Sequence, residues 1–270
     1  MNRIETLFQR LKAERKKALI TFVTAGDPTL ATTVALCLEM EKAGADLIEL
    51  GVPYSDPIAE GPVIQAANRR ALANRIHLPD IMRTAKTIRD QSGIPLVYLL
   101  YYNCILQYGA ERFMRDSSES GVDGLIVPDL PLEEKGELAP FAERHGIALI
   151  PMVTPVSGDR IGPIVREAKG FVYCVSSLGV TGVRDDFSTN FEHFFAAVRK
   201  HTDLPTALGF GISTPEQAKS LKEYADGIIV GSAIVQRIGT ARNPDDAVRS
   251  VGEFVNSLRL ALDQDRPLLG

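Results

Sequence analysis

Short runs of branched apolar residues recur along the chain, each followed by turn residues and then by a longer amphipathic segment. Eight such runs stand at 19–24, 46–52, 95–102, 124–127, 148–153, 170–176, 205–209 and 226–231. They are nearly continuous in apolarity rather than alternating, the pattern of strands buried on both faces in a parallel sheet covered by helices. The intervening segments carry helix signals. Thr214, Pro215 and Gln217 place a capping hydroxyl before a proline at the first helical position and a glutamine at the third. Residues 31–40 have the helical period and stop before Ala43, Gly44 and Ala45, and an opening helix shows an apolar stripe of Ile4, Leu7, Phe8 and Leu11. Eight strand and helix units without a Ser/Pro-rich linker predict the α/β class, as a single (β/α)8 barrel domain over residues 1–270 with an extra N-terminal helix. A doubly wound open sheet is the rival architecture. Glycine turns late in the chain, where a barrel's phosphate site would fall, favour the barrel.

Composition changes this picture little. Hydrophobic residues make up 45% and charged residues 24% of 270, ordinary globular usage, and a net charge of -4 leaves no electrostatic footprint for nucleic acid. The basic residues between Arg10 and Lys17 read as the solvated face of the opening helix. Cys37, Cys104 and Cys174 lie far apart in apolar segments, as buried thiols of a reducing compartment do. With no signal-peptide pattern and no apolar stretch of membrane-spanning length, the expected location is cytoplasmic. His77, His145, His193 and His201 do not cluster with other ligands, so no metal site is expected.

Candidate chemistry concentrates at strand ends. The stretch from Glu49 to Pro62 runs from a strand into a loop stiffened by Pro53, Pro57 and Pro62, and it carries Glu49, Asp56 and Glu60. Leu47, Glu49 and Gly51 share a face by the period of two. If that face points into the barrel, aliphatic surroundings raise the Glu49 pKa and fit it to give and take a proton near neutral pH. If it points outward, Glu49 caps a neighbouring helix instead. Gly209 and Gly211, then Gly231 and Ser232, form two glycine turns after the seventh and eighth strands, suited to a phosphate at a helix N-terminus or, more plainly, to tight turns alone. Residues 176–186 mix glycine, hydroxyl and charged groups, as a lid over a ligand does and as a solvated loop also does.

Five motifs, ELGVPYSDPIAEGPVIQ, VPDLP, YCVSSLGVTG, GFGIS and GSAIV, occur in this order and spacing. With them nearly the whole chain resembles the alpha subunit of tryptophan synthase. The resemblance implies a TIM barrel that cleaves indole-3-glycerol phosphate by a retro-aldol reaction into indole and glyceraldehyde 3-phosphate. The barrel would need no cofactor of its own, because pyridoxal phosphate belongs to a beta subunit that receives the indole in an alpha-beta-beta-alpha assembly. It makes Glu49 the catalytic glutamate and Tyr173 its neighbour. It also places Phe22, Leu99, Tyr101, Thr181 and Phe210 near the indole or glycerol chain, and Gly182, Gly211, Gly231 and Ser232 around the phosphate. Pro53, Asp56 and Pro57 fall on the loop facing the beta subunit. One position departs, for the family's aspartate, which accepts the indole N–H, is Glu60 here. That leaves open a natural variant with a compensating loop, an engineered substitution, or an alpha-like subunit of weak catalysis that binds phosphate ligand and activates its partner. An isomerase on the same kind of barrel would share the phosphate loops but leaves 49–62 unexplained.

Overall fold

The structure, a computed structural model, describes residues 2–176, 187–209 and 211–264. Its strands are β1 (Ala18–Thr24), β2 (Leu47–Gly51), β3 (Leu96–Leu99), β4 (Gly124–Ile126), β5 (Ala148–Leu149), β6 (Met152–Val153), β7 (Val172–Val175), β8 (Thr206–Gly209) and β9 (Gly227–Val230). All neighbours run parallel, in the order β5-β4-β3-β2-β1-β9-β8-β7-β6. The two ends of that order are halves of one predicted strand, 148–153, parted at Ile150 and Pro151. Pro151 has no N–H to give a ladder. The first half therefore pairs with β4 and the second with β7, Tyr173 N donating to Pro151 O at 2.9 Å. The sheet closes through this strand into the eight-fold barrel, and the open-sheet alternative is set aside.

The helices are α1 (Arg3–Ala13), α2 (Leu30–Lys42), α3 (Pro62–Ala73), α4 (Leu78–Arg89), α5 (Tyr102–Tyr108), α6 (Ala110–Glu119), α7 (Ala139–Arg144), α8 (Ile161–Val165), α9 (Phe187–Arg199), α10 (Pro215–Leu221), α11 (Ser232–Thr240) and α12 (Pro244–Asp263). Thr214 caps α10 as predicted, accepting from Gln217 N, while the Gln217 side chain reaches one residue further back, to Ser213 N. The third strand is shorter than the 95–102 of the sequence reading. Its apolar run continues past Leu99, but Asp129 Oδ1 accepts from Tyr102 N at 2.8 Å and starts α5 there.

Two apolar layers result. The outer one lies between strands and helices. The inner one fills the barrel with Ile20, Leu47, Val97, Ile126, Ile150, Phe171 and Ile229, and the predicted stripe of α1 plugs its N-terminal end. A reciprocal capping box of Asn2 and Glu5 starts α1, and Asn2 Nδ2 also donates to Asp123 O at 2.8 Å, which fixes the plug to the barrel. At this end Gly44 and Gly121 adopt φ of +106° and +82°, and a Cβ on either would meet the stem of Arg259 or Arg89 at 2.6 or 2.5 Å. Each glycine lets an arginine pass to a carboxylate two residues on, Arg259 to Asp46 at 3.1 Å and Arg89 to Asp123 at 3.0 Å. Among the described residues no helix is long and apolar enough to cross a membrane.

Candidate active site

The opposite, C-terminal end of the barrel is open. Here the inner face ends in Phe22, Glu49, Leu99, Tyr173 and Ile229, which with Gly209, Gly211, Gly231 and Ser232 on one side and Ala59, Glu60, Gly61 and Ile64 on the other line a cavity of about 280 Å³. Glu49 pairs in register with Phe22 on β1 and Val97 on β3. Its carboxyl therefore points inward with Leu47, and the outward, helix-capping alternative fails.

Glu49 is 1% exposed, and its Oε1 meets no hydrogen-bond partner among the described residues. Burial alone pushes its pKa up to about 8. Tyr173 beside it is driven well above the ordinary phenol range, first by burial and then by the neighbouring Glu49 charge, so its hydroxyl stays protonated and can only be neutral. The Tyr173 ring lies over Gly209, where a Cβ would come within 2.6 Å of it. Glu60 is half-buried on the cavity rim. Burial raises its pKa, and a hydrogen bond from Asn68 Nδ2 to Oε2 at 2.7 Å opposes that rise. No lysine or arginine lines the cavity among the described residues. Glu49 thus faces an apolar space without a counter-cation among the described residues, the condition under which a carboxyl holds its proton into the neutral range, whereas at Glu60 the Asn68 bond favours the charged form.

The glycine turns fall together across the cavity from Glu60. Gly231 precedes α11 and Ser232 is its first residue, so the unpaired amides and positive end of a nine-residue helix face the cavity beside Gly211, whose φ is +36°. Such an end accepts an anion without any cationic side chain.

Other predicted residues take different places. Tyr101 is buried and does not line the cavity. Its hydroxyl accepts from Ala59 N at 2.9 Å and its ring stacks on Tyr54 at 4.8 Å, so it holds the loop that carries Glu60. On that loop Asp56 is exposed and Pro57 half-buried, but Pro53 is buried. Thr181, Gly182 and Phe210, and the lid expected at 176–186 beyond Ser176, lie outside the described residues. Cys37 and Cys174 are buried thiols, whereas Cys104 is half-buried. Pro128, Met152 and Asn68 are among the wall or support residues that were not anticipated. Pro128 stood in a quoted motif, VPDLP, and Asn68 lies eight positions after Glu60 across a helix start, a spacing with no general signature.

Comparison with known proteins agrees with this geometry. Residues 8–262 match the family described as tryptophan synthase alpha chain. The alpha chain of Thermoanaerobacter sp. (strain X514) is 53% identical over 262 residues, covering 97% of this chain and 100% of that one. The alpha chain of Caldanaerobacter subterraneus subsp. tengcongensis is 54% identical with the same coverage. Among solved structures, the alpha subunit from Legionella pneumophila str. Paris superposes with a TM-score of 0.90 at 38% identity, over 97% of this chain and 99% of that one. A Mycobacterium tuberculosis tryptophan synthase chain superposes at 0.88 with 31% identity, over 98% and 99%. A closed barrel with its carboxyls at the C-terminal mouth and a match along almost its whole length place this chain in the tryptophan synthase alpha chain family.

Proposed function

We propose that this barrel, acting as one domain, carries out the carbon–carbon lyase reaction of its family with Glu49 and Glu60 as the proton-handling pair. The family's alpha chain cleaves indole-3-glycerol phosphate to indole and glyceraldehyde 3-phosphate in tryptophan biosynthesis, and it does so without a cofactor of its own. It works with a beta subunit, which holds the pyridoxal phosphate, in an alpha-beta-beta-alpha assembly.

In our reading the phosphate sits against Gly211, Gly231 and Ser232, with Gly182 joining them, and the indole lies among Phe22, Leu99 and the residues around Phe210 and Thr181. Protonated Glu49 gives its proton to the indole ring carbon that bears the glycerol chain. The ring nitrogen then carries positive charge, and the Glu60 carboxylate accepts its N–H and stabilises it. The hydroxyl on the adjoining carbon loses its proton, with the Glu49 carboxylate as acceptor. That carbon becomes the aldehyde carbon as the carbon–carbon bond breaks and its electrons return to the ring. One proton enters and one leaves, so Glu49 ends as it began.

The observation that carries this reading is a buried Glu49 without a counter-cation among the described residues, whose pKa near 8 lets one group act as both acid and base. Neutral Tyr173 keeps its place beside it. A partner that binds and activates without cleaving is the weaker reading, because the family is catalytic and Glu60 still presents a carboxylate to the cavity. Pro57 and Asp56 would face the beta subunit, with Pro53 shaping the loop from beneath, and Ile58 between them and the cavity is 85% exposed. Buried and half-buried thiols suit a cytoplasmic site of action. Indole release from indole-3-glycerol phosphate by the purified chain, with and without a beta subunit, beside Glu49→Gln and Glu60→Asp, tests the reading. Cleavage by the native chain that disappears in Glu49→Gln supports it, and undiminished cleavage by Glu49→Gln sinks it.

A further inference from the structure

Asn68 sits in the second turn of α3 with 3% of its surface exposed. Asparagine is a poor helix former, and a buried amide costs stability unless it is hydrogen-bonded. Its partner is Glu60, whose Oε2 accepts from Asn68 Nδ2 at 2.7 Å, while Oε1 accepts no hydrogen bond among the described residues. The helix also holds the backbone of the same residue, since Gln65 Nε2 donates to Glu60 O at 2.8 Å. The helix itself is clamped to the loop after β1. Arg70 Nε and Nη2 donate to Asp27 Oδ1 and Oδ2 at 2.8 and 2.7 Å, and Asp27 is 1% exposed.

A glutamate has one more rotatable bond than an aspartate, and fixing such a side chain costs rotamer entropy. A charge-assisted bond from a rigid helix removes that freedom before substrate arrives. We propose that Asn68 is the positioning residue of Glu60: it takes one carboxylate oxygen so that the other is aimed into the cavity, and thereby fits the longer carboxylate to the work of a shorter one. The inference rests on the reading of Glu60 as the group that faces the indole nitrogen. Among the described residues, the other titratable groups that line the cavity with Glu60 are Glu49 on β2 and Tyr173 on β7, and Tyr101, from the loop before α5, feels its charge.

The test compares indole release by the native chain, Asn68→Leu, Asn68→Gln and Glu60→Gln, and follows the residue 60 carboxyl by carbon NMR against pH. Leucine keeps the volume and removes the donor. In Asn68→Leu we expect kcat to fall about tenfold to a hundredfold with KM nearly unchanged. The Glu60 carboxyl should titrate at higher pH, because the bond it loses favours the charged form. Asn68→Gln, which keeps an amide donor, should recover part of the loss. In the native chain the Asn68 side-chain amide proton should shift as Glu60 titrates, a readout that needs no variant to fold. An inactive Glu60→Gln beside a folded Asn68→Leu with native kcat and native carboxyl titration overturns this inference alone. A fully active Glu60→Gln overturns it together with the reading beneath it, and an Asn68 amide signal indifferent to the titration overturns it without any variant.

Discussion

The two ends of the barrel use carboxylates in opposite ways. At the N-terminal end Asp46, Asp123 and Asp226 each stand immediately before a strand and accept from a backbone N–H of a neighbouring one, Leu19, Leu96 and Thr206, at 2.9 Å each. Asp46 also meets Arg259 and Asp123 meets Arg89 and Arg3. Burial raises the Asp46 pKa, but the Leu19 amide and Arg259 pull it back. At the C-terminal end Glu49 is more deeply buried and has neither a cation nor a backbone donor among the described residues. Glu60 accepts from the Asn68 side-chain amide. Saturating a buried carboxylate with donors makes it a structural charge, whereas withholding them leaves a proton that can move. Position along the strand decides which occurs. The strand starts face the α1 plug and the arginines that pass Gly44 and Gly121, and the strand ends face glycine-rich loops.

Breaking the chemical end should produce the largest effect. Glu49→Gln removes the movable proton and should lower cleavage about a thousandfold, with phosphate binding retained, as seen in turnover assays and a phosphate titration. At the structural end, Asp123→Ala would leave Arg89, itself 9% exposed, beside an empty site. It should cost on the order of 3 kcal/mol of stability in urea unfolding and leave turnover per folded molecule nearly unchanged.

The contrast also predicts a pH dependence. Glu49 has a folded pKa of about 8, above its ordinary value of 4.5. Its contribution to stability is therefore fully present below about pH 4.5 and lost as pH rises through 8. Unfolding free energy should fall across that window, and Glu49→Gln should flatten the fall by on the order of 5 kcal/mol. A smaller change sharpens the geometry. Gly209→Ala would push a methyl into the Tyr173 ring, now 2.6 Å from that position. It should cost about 1–3 kcal/mol of stability, and its loss of kcat should exceed any change in phosphate binding. The smallest effect belongs to neither end. The exposed Lys86–Asp90 pair on α4 should contribute under about 0.5 kcal/mol in a double-mutant cycle.

Much of this was legible in the chain. The near-continuous apolar runs give eight strands, and the period of two gives the face that Glu49 shares with Leu47. What could not be read is where one segment's structure depends on a distant side chain. Nothing between Pro95 and Tyr102 marks the end of β3, because the group that starts α5 is Asp129, from the next strand's loop. Pro151 was visible as a ladder breaker, but its carbonyl becomes the seam of the barrel only once β7 arrives. Asn68 reads as an ordinary polar position on a helix, and its contact with Glu60 is made on a helix that Arg70 and Asp27 tie to the loop after β1. Tyr101 sits near the predicted substrate site in sequence, yet its hydroxyl is taken by the Ala59 amide.

The central claim is that the mouth of this barrel keeps a carboxyl protonated into the neutral range by denying it donors. Carbon NMR of glutamate-labelled protein, titrated beside Glu49→Gln to assign the signal, measures this directly. The account predicts a carboxyl resonance that titrates near pH 8 and is missing from the variant. A Glu49 carboxyl that titrates near 4.5, as an exposed one does, would contradict it.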